Sequence, residues 1–281
     1  MRSRELDPSA SPLDYYGFEL RRAREAAGLT LAQLGSVVFC TGSLIGQIET
    51  AAKVPQRDFS ERLDAALGTD GLFSRLVGLV LRSQLPSWFQ PYAEMESRAL
   101  SIATYQTQVV YGLLQTPGYA RALLEAGWAE KLDEQVAARL DRQQVLRRQK
   151  PPLVWVVLDE AVLHRGVGGR EVMREQLTQL LRLQDRREVR VQVLPFGAGQ
   201  HPATAGSFTV MRFGDHPDIT YSENYDSGYM TANPDVAMDC SHRYDHLQAA
   251  ALSVEDSAEL IARVREERYA DQPGPDGSPV A

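Results

Sequence analysis

Residues 15–67 hold four short stretches of helical hydrophobic periodicity on tight connections. They read YYGFELRRAREAAG, LTLAQLGSVV, CTGSLIGQIETAAK and QRDFSERLDAAL. Apolar residues recur every three or four positions, which predicts amphipathic helices that must bury one face. Gly28 stands where a left-handed residue ends the first helix, and Thr30 and Thr41 stand where hydroxyl side chains cap the next two. The stretch therefore predicts a compact four-helix domain.

The second and third of these helices have the spacing of a helix-turn-helix unit. Gly35 lies where the two crossing helices would approach closely, so that only a small residue fits. In the third helix Ile45 and Ile48 are expected to point inward, which leaves Ser43 and Gln47 on the outer face. A helix with a small, polar outer face fits the major groove of DNA. The pattern therefore predicts DNA binding through the third helix.

This arrangement resembles the Xre (lambda-repressor-like) helix-turn-helix family over residues 15–67, through LRRAREAAGLT, the small residue in the second helix and IGQIET. The resemblance implies these roles: base reading by Gly42, Ser43 and Gln47, phosphate contact by Gln33, Thr50 and Lys53, and a helix-orienting ion pair between Arg24 and Glu49. Gln47 is the best candidate base reader because its amide can pair with adenine N6 and N7, which is worth roughly 1–3 kcal/mol of discrimination.

Two departures from the family pattern weaken phosphate contact. Leu31 stands where a polar, phosphate-contacting residue is common, and Ala51-Ala52-Lys53 replaces the usual glycine followed by basic residues. Residues 15–82 carry eight Lys and Arg against seven Asp and Glu, a net charge of +1. A single copy should therefore bind weakly, with a shallow salt dependence. We expect a homodimer on two half-sites about 34–36 Å apart.

Bulk composition excludes several protein classes. The 281 residues are 43% hydrophobic and 24% charged, as in a globular protein, and the net charge of −7 argues against coating nucleic acid through overall charge. Cys40 and Cys240 have no metal-ligand spacing, so we expect neither a metal nor a disulfide. No apolar run approaches about 18 residues and no signal peptide is recognisable, so a cytoplasmic protein is expected.

The remaining sequence changes from helical to mixed patterns. Residues 92–108 keep a helical period, PLVWVVLD and VRVQVLPF read as strands around a helix at 170–184, SFTVMRF and DITYSEN read as a hairpin, and two helices close the chain. We therefore predict an all-α N-terminal helix-turn-helix domain followed by a mixed α/β C-terminal domain. The predicted ranges are 1–13 disordered, 14–82 helix-turn-helix, 83–100 junction, 101–269 α/β regulatory domain and 270–281 disordered tail.

The strings PLVWVVLDEAVLHR, VGGREVMREQL and VRVQVLPFGAGQHPATAGSFTVMRF are similar to the antitoxin-like C-terminal domain, of unknown function, that is attached to Xre regulators of Streptomyces and other actinobacteria. With the helices before them, the resemblance to these WhiJ-like regulators covers residues 15–267. It implies a transcriptional regulator, without a cofactor, that is often paired with a small companion protein of the BldB-like family.

An enzyme with an appended DNA-binding domain is the alternative. Asp159, Glu160, His201 and Glu223 lie near predicted strand ends, where α/β sites are built, and carboxylates with a histidine suit acid–base chemistry. However, Asp159-Glu160 most simply starts a helix, and His201 lies in a Gly-rich loop. We therefore expect no catalysis. The same loop and the neighbouring strand are instead a possible effector or partner cleft, formed by Phe196, His201, Tyr221, Glu223 and Tyr225.

Overall fold

The computed structural model describes residues 6–224 and 226–270, which form two compact units. The first contains the described residues up to Gln90 together with Asp133–Asp141, and the second contains Pro91–Leu132 and the described residues from Arg142 onward. The domain boundaries predicted from the sequence stay predictions. Leu6 is buried and a helix begins at Pro12, so the disorder predicted for 1–13 does not extend over residues 6–13. Residues 1–5 and 271–281, also predicted to be disordered, lie outside the described residues.

The first unit is all-helical, as predicted. Its helices are α1 (Pro12–Ala26), α2 (Leu31–Val37), α3 (Gly42–Glu49), α4 (Arg57–Leu67) and α5 (Leu72–Ser83). Its core includes the fully buried side chains of Tyr16, Leu20, Leu34, Ile45, Leu63 and Phe73. Residues 133–141 of a later helix, α8 (Leu132–Asp141), belong to the same unit, and Asp141 at its end pairs with Arg57 at 2.6 Å.

The predicted helix ends of the first unit are confirmed. The Thr30 hydroxyl accepts a hydrogen bond from the N–H of Gln33 at 3.2 Å, and the Thr41 hydroxyl accepts one from Leu44 at 3.2 Å. Gly28 has a φ of 67°, the left-handed conformation expected after the first helix. These local signals end one helix and begin the next at the positions that a helix-turn-helix requires.

The second unit is a mixed α/β domain, as predicted. Its strands are β1 (Ser101–Gln106), β2 (Leu153–Asp159), β3 (Val189–Leu194), β4 (Phe208–Arg212), β5 (Ile219–Glu223) and β6 (Gly228–Thr231). The other α-helices of the described residues are α6 (Gln90–Arg98), α7 (Pro117–Ala126), α8 (Leu132–Asp141), α9 (Glu160–His164), α10 (Gly169–Gln184), α11 (Pro234–Ala250) and α12 (Val254–Tyr269). The strand order is β3-β2-β1-β4-β5-β6; β1, β2 and β3 are parallel, and the rest pair antiparallel.

One prediction in this region is wrong. Residues 92–108 were expected to be helical throughout, but α6 ends at Arg98 and Ser101–Gln106 form β1. This strand pairs with β2 on one side and β4 on the other, so it lies inside the sheet. Pairing with two distant strands, together with the β-branched and aromatic residues of SIATYQ, overrides the helical period.

The two faces of the sheet carry different side chains. Ala103, Tyr105, Val157 and Val210 share one face and pack with Tyr244 of α11 in a common hydrophobic cluster. Side chains at the alternate positions project from the opposite face. This alternation decides which predicted site residues can meet.

Candidate nucleic-acid interface

The α2–turn–α3 segment has helix-turn-helix geometry. The axes of α2 and α3 are bent by 110° across the turn at residues 38–41, within the range of about 90–120° for this motif. A Cβ at Gly35 would lie 2.8 Å from the carbonyl oxygen of Cys40, and a Cβ at Gly42 would lie 2.9 Å from the backbone nitrogen of Ala32. Both glycines therefore allow the two helices to approach closely. This gives Gly42 a packing role, while its base-facing role stays a prediction.

The predicted base readers on α3 stand on its exposed side. Ser43 and Gln47 are exposed, whereas Ile45 and Ile48 are buried in the core of the unit. The helix thus presents two short-to-medium polar side chains outward on a backbone that is anchored from behind. Such a surface can enter a major groove and exchange hydrogen bonds with base edges.

Arg24 and Glu49 are brought together as a bidentate ion pair. The Nε of Arg24 lies 2.6 Å from Oε1 of Glu49, and Nη2 lies 2.9 Å from Oε2. The side chains are 12% and 5% exposed, and the hydrogen bond with Glu49 raises the pKa of Arg24. Arg24 also donates to the carbonyl of Leu29 at 2.9 Å, so one guanidinium ties α1 to α3 and to the connection before α2.

Arg21 adds a contact that the sequence reasoning missed. Its Nη2 donates to the backbone carbonyl of Glu49 at 3.2 Å, and its Nε lies 3.7 Å from the Glu49 carboxylate. Its position three residues before Arg24, on the same side of α1, was the signal available in the sequence. The end of α3 is therefore held by two arginines of α1.

The predicted phosphate-contacting residues differ in their surroundings. The amide oxygen of Gln33 accepts from the N–H of Thr30 at 2.9 Å, which leaves its NH₂ group as the donor for a phosphate. The Thr50 hydroxyl donates to the carbonyl of Gly46 at 2.8 Å and would have to exchange that partner. Among the described residues Lys53 has no ion-pair partner, so its charge is available to DNA. Leu31 is 38% exposed and offers no polar contact.

Three other cations of the first unit are paired with neighbouring carboxylates. Arg22 pairs with Glu19 and Arg62 pairs with Asp58 on their own helices, and Arg57 pairs with Asp141. This agrees with the near-neutral charge of the segment and favours a modest electrostatic contribution to DNA binding.

A second polar cluster stands at the carboxyl ends of β1 and β2. The Tyr105 hydroxyl donates to Oδ2 of Asp159 at 3.1 Å and lies 3.3 Å from Nε2 of His201. The N–H of Ala203 donates to Nδ1 of His201 at 3.3 Å, so we assign the ring proton to Nε2, which donates to Tyr105. The pKa of Tyr105 is raised, mainly by burial and also by the adjacent Asp159 carboxylate. The cluster holds the loop after β3 against the sheet.

The other predicted cleft residues do not join this cluster. Tyr221 pairs in register with Thr209, which stands beside Thr104, and Thr104 points away from the face that carries Tyr105. Tyr221 and Glu223 therefore lie on the opposite face of the sheet, where the Tyr221 hydroxyl donates to Glu223 at 3.3 Å. The predicted cleft is thus divided between two faces. Tyr225 lies outside the described residues.

Phe196 and Glu160 form a third group. The N–H of Phe196 donates to Oε2 of Glu160 at 2.8 Å, and the Phe196 ring stacks on His164 at 5.9 Å between ring centroids. Asp159 meanwhile accepts from the N–H of Ala161 and caps α9, the simple structural role considered for it above. The four residues of the enzyme alternative are consequently not gathered in one place, because strand alternation separates Glu223 from the others.

A buried ion pair of the second unit was missed by the sequence reasoning. The carboxylate of Glu96, 1% exposed, accepts two hydrogen bonds from Arg142 at 2.8 Å each and one from the Tyr111 hydroxyl at 2.6 Å. Burial alone would lower the pKa of Arg142, but the neighbouring carboxylate of Glu96 raises it. Tyr92 extends the cluster through its hydroxyl to Tyr111 at 3.0 Å. Single charged residues in amphipathic helices give no sequence signal for such a pair.

The described residues were also searched for metal-binding clusters and for helices that could span a membrane. Within residues 6–224 and 226–270 no group of three or more His, Cys, Asp and Glu is arranged to hold a metal ion. In the same residues no single helix is long and apolar enough to cross a membrane. The bent pair of α2 and α3 reaches that length and apolar composition only when the two helices are counted together.

Comparison with known families divides the chain in two. A family described as "Helix-turn-helix domain" matches residues 16–75, and one described as "Domain of unknown function (DUF5753)" matches residues 89–263, more than half of the chain. No curated protein and no solved structure matches. The helix-turn-helix match, together with the geometry of α2 and α3, indicates a DNA-binding regulator.

Proposed function

Because the chain belongs to the family defined by the domain of unknown function DUF5753, and carries a helix-turn-helix domain before it, we propose that it is a sequence-specific transcriptional regulator. The main support for the proposal is that α3 exposes polar side chains on one side and is fixed to the core on the other. Its Ser43 and Gln47 are exposed, while Arg24 and Glu49 fix the helix from its buried side. A rigid helix with an outward polar face is suited to reading base edges.

The regulator acts as a homodimer in this proposal. The cations of the first unit are largely paired, so one copy offers few phosphate contacts and little non-specific affinity. Two copies on half-sites about one helical turn apart would double the number of contacts and lengthen the DNA sequence that is read. Action on DNA also places the protein in the cytoplasm.

The C-terminal domain receives the regulatory input in this proposal, by binding a small partner protein or effector that changes DNA occupancy. The sequence resemblance supports a WhiJ-like actinobacterial regulator and a BldB-like companion protein. The domain is not an enzyme in this reading, since Asp159 and His201 serve the sheet edge and Glu223 lies on the other face. Mass spectrometry of material co-purified from the host tests the companion.

The DNA-binding part is tested with two variants on duplexes selected by the wild type from a random pool. Gln47→Ala should lose roughly 1–3 kcal/mol of discrimination at the contacted base pair and relax specificity there. Lys53→Ala should weaken binding to all sequences alike and reduce the salt slope by about 1. Fluorescence anisotropy at several salt concentrations measures both.

The two variants control for each other, because both change exposed or half-exposed side chains of the same unit. Failure of the wild type to select any duplex at low salt would contradict the proposed function. Equal changes in specificity for both variants would remove Gln47 as the base reader.

A further inference from the structure

The turn that leads into α3 carries an aromatic side chain that the helix-turn-helix motif does not require. Phe39 is 86% exposed, so its ring makes little contact with the rest of the chain. It lies two residues before Thr41, the N-cap of α3, and four residues before the exposed Ser43. An apolar ring therefore stands at the end of the helix that would enter the groove.

The backbone of Phe39 is also unfavourable for this residue type. Its φ is +58°, in the left-handed region, and the N–H of Cys40 donates to the carbonyl of Gly35 at 2.8 Å in the capping pattern that ends α2. Glycine is the residue that this position favours, because a side chain is strained there. Neither the fold nor solvent exposure explains why a phenylalanine stands at this point.

A basic side chain stands beside the turn that carries Phe39. The Nε of Arg62 donates to the carbonyl of Val38 at 3.0 Å, and its Nη1 pairs with Asp58 at 2.9 Å. A half-exposed guanidinium, which would have to share its charge between Asp58 and a phosphate, therefore stands beside the same turn. An arginine suits a phosphate, and an aromatic ring suits a deoxyribose or the methyl group of thymine.

We propose that Phe39 is a DNA-contacting residue, whose ring packs on the sugar and base edge of the duplex beside the bases read by α3. The proposal rests on the proposed function, and it adds an apolar contact to an interface that is poor in basic residues. The ring is already exposed before DNA arrives, so no burial of Phe39 in the protein has to be undone on binding.

The chain contains a matched control in the second unit. Trp128 is also 86% exposed, with a φ of +56°, and it follows α7 in the same capping pattern, with the N–H of Ala129 donating to the carbonyl of Leu124 at 3.2 Å. Replacement by glycine relieves the same backbone strain at both positions. Phe39 stands in the turn that leads into α3, whereas Trp128 belongs to the second unit.

The experiment compares wild type, Phe39→Gly and Trp128→Gly on duplex DNA selected by the wild type from a random pool. Phe39→Gly should melt at the wild-type temperature or above it, yet bind about tenfold more weakly, equivalent to about 1.4 kcal/mol. Trp128→Gly should bind like the wild type. A second pair of duplexes, with thymine replaced by uracil in the selected site, shows whether the ring reads a methyl group or the sugar.

The possible results distinguish the Phe39 contact from the proposed function. Unchanged affinity of Phe39→Gly, while the wild type binds its DNA, overturns the Phe39 contact and leaves the proposed function intact. A change in sedimentation mass with unchanged affinity assigns the ring to a contact between copies and also overturns it. A wild type that selects no DNA overturns the proposed function together with the contact.

Discussion

In the first unit Ser43 and Gln47 project outward from α3, and the ion pair that supports them lies behind the helix. In the second unit Glu96 and Arg142 lie inside, where the carboxylate accepts hydrogen bonds from Arg142 and from the Tyr111 hydroxyl. A charged group can thus be deeply buried in this protein without being accessible to a ligand. Ser43 and Gln47 are exposed to solvent, whereas the Glu96 cluster joins segments inside the second unit.

The largest effect is expected from breaking the internal cluster of the second unit. Glu96→Ala would leave the Arg142 guanidinium buried without its carboxylate, which should cost about 3–5 kcal/mol in the free energy of unfolding. Urea denaturation followed by circular dichroism measures the loss. Arg212→Ala, which removes an exposed pair with Asp218 at 3.6 Å, is the control and should change stability by less than about 0.5 kcal/mol. Equal effects of the two variants would remove the contrast between buried and exposed pairs.

A somewhat smaller effect is expected from the ion pair behind α3. Arg24→Ala should cost about 2–3 kcal/mol, less than a fully buried pair because the side chain is 12% exposed. Arg24→Lys should recover only part of this, since an ammonium cannot form both bonds of the guanidinium. Thermal melting gives the stability, and DNA affinity should fall with it. Arg22→Ala, on the exposed side of α1, is the matched control; a similar loss there would contradict the orienting role of Arg24.

Asp64 gives the first unit an acid-sensitive contribution to stability. Burial alone would raise its pKa, but hydrogen bonds from the side chains of Ser74 and Thr69 and the N–H groups of Phe73 and Ser74 outweigh this and lower it. Because the folded pKa lies below the unfolded value of about 3.9, the stabilisation is fully present above about pH 4. It is lost as the pH falls through the folded pKa.

The measurement is the free energy of unfolding of wild type and Asp64→Asn between pH 2 and 7, values chosen to bracket the unfolded pKa of about 3.9. At neutral pH the variant should be less stable by about 1–2 kcal/mol, because it loses charged acceptors for the N–H groups that begin α5. The difference should shrink on acidification. A difference that stays constant across the range would show that the charge of Asp64 contributes nothing.

The smallest effect is expected at the end of α3. Ala51 has a φ of +54°, and the N–H of Ala52 donates to the carbonyl of Gln47 at 2.8 Å, so the position favours glycine. Ala51→Gly should stabilise the protein by about 0.5–1 kcal/mol, visible as a higher melting temperature. DNA specificity should stay unchanged, because the outer face of α3 is untouched. A lower melting temperature would contradict the strain at this residue.

The same contrast explains what could be predicted from the sequence. The helix-turn-helix was predicted in detail because its signals are local: the caps at Thr30 and Thr41 and the small residue at Gly35 lie close together in the chain. Strand β1 was missed because its conformation is decided by pairing with β2 and β4, which come much later. The Glu96–Arg142 pair was missed for the same reason, since its partners come from separate helical segments.

The ion pair behind α3 also bears on how such a protein can evolve. The orientation of the helix is set from the buried side by Arg24 and Glu49, while Ser43 and Gln47 contribute nothing to the core. If the chain acts as proposed, substitutions at these two codons would leave the stability of the fold nearly unchanged and alter only the DNA sequence that is read. A duplicated gene could acquire a new target by drift at two positions, with the rest of its sequence under unchanged selection.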